Sequence, residues 1–196
     1  MATTDSAKRV YFAFHYQDVI DFRANVVRNH NALQGVKKAG YYDHSIWEES
    51  KKTSDIALKR LINSELDGTS VTAVLIGSDT WARRWVRYEI AKSIARGNYV
   101  LGIHINSVNG RDGLTKPLGA NPFDNMAIQI SADGYTGRFY EWKGAAWVSY
   151  DDLDEYSFAK QQSPSMRGKS PTLSYWYKAY DWISDDGYVN FSSWIA

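Results

Sequence analysis

The 196-residue chain has the length of one domain, and its formal net charge of +1 excludes a bulk electrostatic affinity for nucleic acid or an anionic membrane. It contains no cysteine, which excludes disulfides, thiolate metal sites and a cysteine nucleophile, and is compatible with a cytoplasmic protein. Hydrophobic (44%) and charged (23%) residues stand in ordinary globular proportions, but aromatics are high at 15%, enough to fill a core and also to line a stacking pocket or an interface.

The first apolar run, "RVYFAF", is short and rich in β-formers and predicts a buried strand. "QDVIDFRANVVRNH" carries Val19, Phe22, Val26 and Val27 near helical spacing, with Asp18 placed to cap a helix. "AGYYDHSIWEES" reads as a polar turn at Gly40 and a short strand over 45–47. "TSDIALKRLINSELDG" predicts an amphipathic helix: Ile56, Leu58, Leu61, Ile62 and Leu66 share a face, Thr53, Ser54 and Asp55 offer starts, and Gly68 a stop. "SVTAVLIG" is apolar nearly throughout, as a strand covered on both faces must be. A helix over 81–97 and the strand "NYVLGIHI" follow. Strand and helix thus alternate, which implies a parallel α/β sheet with right-handed crossovers.

Beyond Ile105 the texture changes. A long Gly/Asn/Pro-rich loop leads to "MAIQIS", read as a last strand of the same sheet, and then to a hairpin around Lys143-Gly144. "TLSYWYKAYDWIS" has Leu173, Trp176, Tyr177, Tyr180 and Ile183 at helical spacing and predicts a helix. The tail "GYVNFSSWIA" is apolar enough to dock. The chain divides as a single domain over 1–196, with an α/β core over 1–130 and an elaboration over 131–196.

Several chemistries find no support. The N-terminus has no apolar signal-peptide region, and no apolar run approaches the ~20 residues that span a bilayer. No GxGxxG follows the first strand, and there is no GxSxG or HExxH. The "GKS" over 168–170 lacks the earlier glycine of a phosphate loop, since Ser163 stands there. His15, His30, His44 and His104 have no metal-ligand spacing. His15 and His104 fall at carboxyl ends of strands, where open α/β sheets bind ligands; His15 divides evenly between a pocket residue and an ordinary polar one. A phosphoacceptor receiver fits poorly, because the first strand ends "FAFHYQD" without paired acids.

The stretch "SDTWARRWVRYEIAKS" holds one carboxylate in mid-helix, Glu89, among Arg83, Arg84 and Arg87. Val86, Ile90, Ala91 and Ile94 form the core stripe. Glu89 lies about 100° round from Ile90, at the rim of that face, and stacks one turn from Trp85. On pattern alone the ordinary reading is favoured, a surface glutamate paired with Arg84, Arg87 or Lys92.

At this point the residues resemble a family. "KRVYFAFHYQD" is similar to the first strand and turn of a TIR domain, and "VTAVLIGSDTWARRWVRYEIAKSI" to its strand, Ser, Trp and helical Glu. More narrowly the chain resembles the TIR-like proteins of the Thoeris anti-phage system, the ThsB type, through "SIWEESKKTSDIALKRLIN", "GIHIN", "NPFD", "YEWKG", "MRGKS" and "YDWISDDGY". The resemblance implies a flavodoxin-like, three-layer α/β fold with a parallel central sheet plus a C-terminal hairpin and helix elaboration. It implies an enzyme, silent until a phage component triggers it, that cleaves NAD and releases a cyclic ADP-ribose isomer to activate a ThsA-type effector. It further implies NAD as substrate with no separate cofactor or metal, and homo-oligomer formation on activation. Glu89 takes the catalytic position. Around it Phe14, Trp47 and Trp85 are candidates to stack or exclude water, Ser78 and Thr80 to donate to ribose or phosphate, His15 to line the pocket, and Arg84 to meet the phosphates. Phe14 and Trp47 fit the core equally well, and the arginines fit a pairing with Glu89 or a neighbouring subunit equally well. The rival functions are a non-catalytic TIR interaction or sensor module and a nucleotide-binding sensor without turnover.

Overall fold

The first apolar run forms β1 (Arg9–Phe14), which lies inside a five-stranded sheet rather than at its edge. In the computed structural model, which describes residues 9–29, 37–39 and 54–196, that sheet has the order β2-β1-β3-β4-β9 with every neighbouring pair parallel. Its other strands are β2 (Lys37–Ala39), β3 (Val71–Ile76), β4 (Tyr99–His104) and β9 (Ala179–Asp181). β3 is buried at all six positions, which is why its sequence has no polar alternation. Order reverses between β1 and β3, and their carboxyl ends flank the switch point where ligands enter open α/β sheets.

Two helical layers cover the sheet. On one face α3 (Asp55–Leu66) and α4 (Arg84–Ala95) pack over Tyr11, Ala13, Val74 and Ile76. On the other, α2 (Arg23–Asn29) and the C-terminal α5 (Gly187–Trp194) pack over Val10, Phe12, Ala73 and Leu75. The start and stop of α3 match the sequence signals: the Ser54 side chain accepts from Ala57 N at 3.1 Å, and Gly68 follows at φ 71°.

A second, antiparallel sheet contains β5 (Met126–Ile130), β6 (Thr136–Trp142), β7 (Trp147–Ser149) and β8 (Tyr156–Ser157). The predicted hairpin is β6–β7, turning at Gly144 with φ 73°. Met126, Ile128, Ile130 and Phe139 join the core on the α3/α4 face, so α4 is covered from two directions.

Four expectations need correction. "MAIQIS" does not extend the parallel sheet; it becomes β5 and pairs with β6. The last parallel strand comes instead from the segment predicted as a helix, which forms a single 3-10 turn (Leu173–Tyr175) and then β9. The open edge of β4 draws it in: Gly102 N donates to Lys178 O at 2.8 Å and Trp182 N to His104 O at 3.0 Å. Gly102 permits the approach, since a Cβ there would crowd Ile76, Ala179 and Phe123. Asp18 does not cap a helix; it sits inside α1 (Tyr16–Ile20), separated from α2 by Phe22 at φ 67°. The helix predicted over 81–97 begins at Arg84, after a 3-10 turn (Thr80–Ala82). The docked tail is as expected, with Phe191 and Trp194 buried. The strand predicted over 45–47 lies outside the described residues.

Candidate active site

α4 crosses the sheet with eight of its residues buried, Glu89 among them. Glu89 is only 4% exposed, so it is neither a surface residue nor a rim residue. Tyr11 Oη on β1 donates to Glu89 Oε1 at 2.6 Å. Burial pushes the Glu89 carboxyl up from 4.5 to about 8, and the tyrosine bond opposes that rise. The bond to Tyr11 shows the cause: the Glu89 side chain is turned toward the central sheet, so the position 100° from the core stripe is interior as well.

The three arginines answer to other acids. Arg83 lies 3.6 Å from Asp79. Arg84 grips Asp152 through Nε and Nη2 at 2.8 and 2.7 Å and meets Asp55 at 2.7 Å. Arg87 pairs with Glu141 on β6 and donates to Trp81 O at 3.0 Å. The predicted surface pairing of Glu89 with Arg84 or Arg87 is therefore overturned. Trp85, one turn before Glu89, is edge-on to Tyr88 at 6.0 Å with the Arg84 guanidinium 4.7 Å above its ring.

A second group gathers at the carboxyl ends of β1 and β3. Phe14 packs toward the α2 face, with the Arg28 guanidinium 5.5 Å from its ring, so it lies across the sheet from Glu89. His15 follows; burial lowers its pKa first, the Arg83 and Lys116 cations lower it further, and Asp79 opposes them. Ser78 Oγ accepts from Asn106 Nδ2 at 3.2 Å. Thr80 is fully buried, and its hydroxyl accepts from Gly77 N at 2.9 Å. Trp47 lies outside the described residues.

Two residues of this group escaped the sequence reading. Asp18 is 4% exposed, 3.4 Å from the Thr80 hydroxyl, and burial raises its pKa to about 6 against the pull of Lys116. Asn106 holds the loop beyond β4, donating to Pro117 O at 2.8 Å and accepting from Gly119 N at 3.3 Å. An acid four residues past the first strand was a usable signal for Asp18; Asn106 carried none. Among the described residues no cluster of three or more His, Asp or Glu is arranged for a metal, and no helix is long and apolar enough to cross a membrane.

A parallel sheet between helical layers, with a carboxyl-bearing helix after the third strand, defines an α/β protein of the TIR-like class. The family described as "Thoeris protein ThsB, TIR-like domain" matches residues 11–110. A protein of Bacillus cereus (strain MSX-D12) named "Putative cyclic ADP-D-ribose synthase ThsB1" is 56% identical over 190 residues, which cover 96% of this chain and 99% of that one. The chain belongs to the ThsB family of Thoeris TIR-like proteins.

Proposed function

We propose that the protein cleaves NAD between nicotinamide and ribose and releases a cyclic ADP-ribose isomer as a signal for a ThsA-type effector. The observation that carries this reading is Glu89: a buried carboxyl, bonded to a neutral hydroxyl, on the helix where NAD-cleaving TIR domains place their glutamate. The cyclic ADP-ribose synthase name of the Bacillus cereus relative supports the same reading.

Departure of nicotinamide develops positive charge on the ribose, and a fixed carboxylate stabilises it. One carboxylate suffices because the nicotinamide is already cationic and leaves as a neutral molecule. In its buried setting Glu89 holds its proton at neutral pH. A cationic nicotinamide ribose brought beside it favours the ionised form, so substrate itself helps to create the carboxylate. Cyclisation then needs a ribose hydroxyl of the same ADP-ribose held near C1′ and water kept out. His15 and Ser78 offer polar contacts to ribose or phosphate, while Trp85, one turn before Glu89, restricts water; Phe14, across the sheet, has no part in this. Activity that waits for a phage component and for assembly accords with a carboxyl that is sequestered in the single chain.

The test compares nucleotides from phage-infected cells carrying the parent protein or Glu89→Gln. The expected result is a cyclic ADP-ribose isomer with the parent and none with the variant, both proteins being folded and equally abundant. Equal product from the two would overturn the catalytic assignment of Glu89. Defence without any NAD-derived product in either would favour the interaction-module reading.

A further inference from the structure

Glu89 is held twice from within the core. Its carboxyl accepts from Tyr11 Oη at 2.6 Å, and its main-chain carbonyl accepts from Ser93 Oγ at 2.6 Å. Ser93 Oγ in turn accepts from Thr72 Oγ1 on β3 at 2.8 Å, and Asn98 Nδ2 donates to the same Thr72 oxygen at 3.2 Å. The second tie fixes the backbone of α4, whereas the first alone reaches the carboxyl.

We infer that Tyr11 is the positioning residue of Glu89, holding its carboxyl in one orientation and favouring its ionised form for the reaction. This rests on the proposed catalytic role of Glu89. Tyr11 is mid-strand and fully buried among apolar neighbours, where phenylalanine would fill nearly the same space. What the hydroxyl adds is a short bond that becomes charge-assisted once Glu89 ionises, and so offsets part of the desolvation a buried carboxylate suffers. Among the described residues, titratable groups of α4 and of its neighbour α3 have other partners: Arg84 and Lys59 meet Asp152, Arg87 meets Glu141, and Tyr88 donates to Asn63.

The experiment titrates the Glu89 carboxyl by NMR in the purified full chain carrying carboxyl-labelled glutamate, with Glu89→Gln assigning the signal. Tyr11→Phe is expected to move the midpoint alkaline by about one pH unit, as loss of a hydrogen bond to a charged group implies. Thr72→Val, which loosens only the backbone tie, is expected to leave it in place. In lysates of infected cells, product formation by Tyr11→Phe should fall about tenfold at neutral pH and recover toward alkaline pH. An unmoved midpoint, an equal shift in Thr72→Val, a fall that alkaline pH does not relieve, or raised activity in Tyr11→Phe would each overturn the inference. Full product from Glu89→Gln would instead overturn the catalytic reading, and the NMR shift would still report on the Tyr11 bond.

Discussion

Arg87 on α4 and Glu141 on β6 form an ion pair whose side chains are 10% and 9% exposed, joining the helix that carries Glu89 to the sheet of the C-terminal elaboration. Lys143 Nζ adds a second cation 3.0 Å from the other Glu141 oxygen. The elaboration is thereby bonded to the candidate site's own helix. Breaking one partner of such a pair strands a buried charge, so Glu141→Leu should cost about 3 kcal/mol in urea unfolding. The double variant Arg87→Met/Glu141→Leu should lose less than the sum of the singles. Strict additivity would show that the pair does not couple.

Glu89 makes stability fall with pH. Its folded pKa, about 8, lies above the ordinary 4.5, so between those values the folded chain keeps a proton the unfolded chain has released. Stability is fully present below about 4.5 and is lost as pH rises through about 8. Glu89→Gln removes this term: its melting temperature should exceed the parent's by several degrees at pH 8 and match it near pH 4. A constant difference across that range would rule out the buried acid as the cause.

Gly77, the residue after β3, lies directly against the Asp18 carboxyl, and a Cβ there would overlap it. Gly77→Ala should therefore destabilise by on the order of 2 kcal/mol through forced displacement in a packed site. Adding Asp18→Ala should return part of that loss, measured by thermal unfolding. Gly77→Ala as stable as the parent would mean that Asp18 moves aside without cost.

His15 should titrate below 6.5 in NMR spectra, since burial and nearby cations disfavour its charged form. Arg83→Gln should raise the midpoint more than Lys116→Met, and Asp79→Asn should lower it, in line with the order of their influence. Asp79→Asn raising the midpoint would exclude the proposed grouping of these charges around His15.

Legibility followed the range of the forces involved. β1, β3, β4 and α3 were readable because each is decided locally: "VTAVLI" has no polar residue to expose beyond Thr72, and α3 carries its own cap and stop. Segment 172–184 misled because aromatic residues satisfy a helix and a strand equally well, and the unpaired edge of β4 chose between them. Glu89 misled for a related reason. Its place on the helix was correct, but its burial was decided by how the helix lies on the central sheet, where Tyr11 of β1, distant in the chain, meets its carboxyl.

By itself, then, the sequence determined the alternation of strands and helices, the parallel class of the central sheet, the hairpin, and the position of one carboxylate on the helix after β3. Those follow from side-chain periodicity and short-range caps, which act within a few residues. Only the tertiary structure decided that Glu89 is buried against Tyr11, that Arg84 and Arg87 serve Asp152 and Glu141, and that Ala179–Asp181 completes the sheet. Those outcomes depend on which distant surfaces meet, because desolvation and ion pairing act on a side chain only once its neighbours in space are in place.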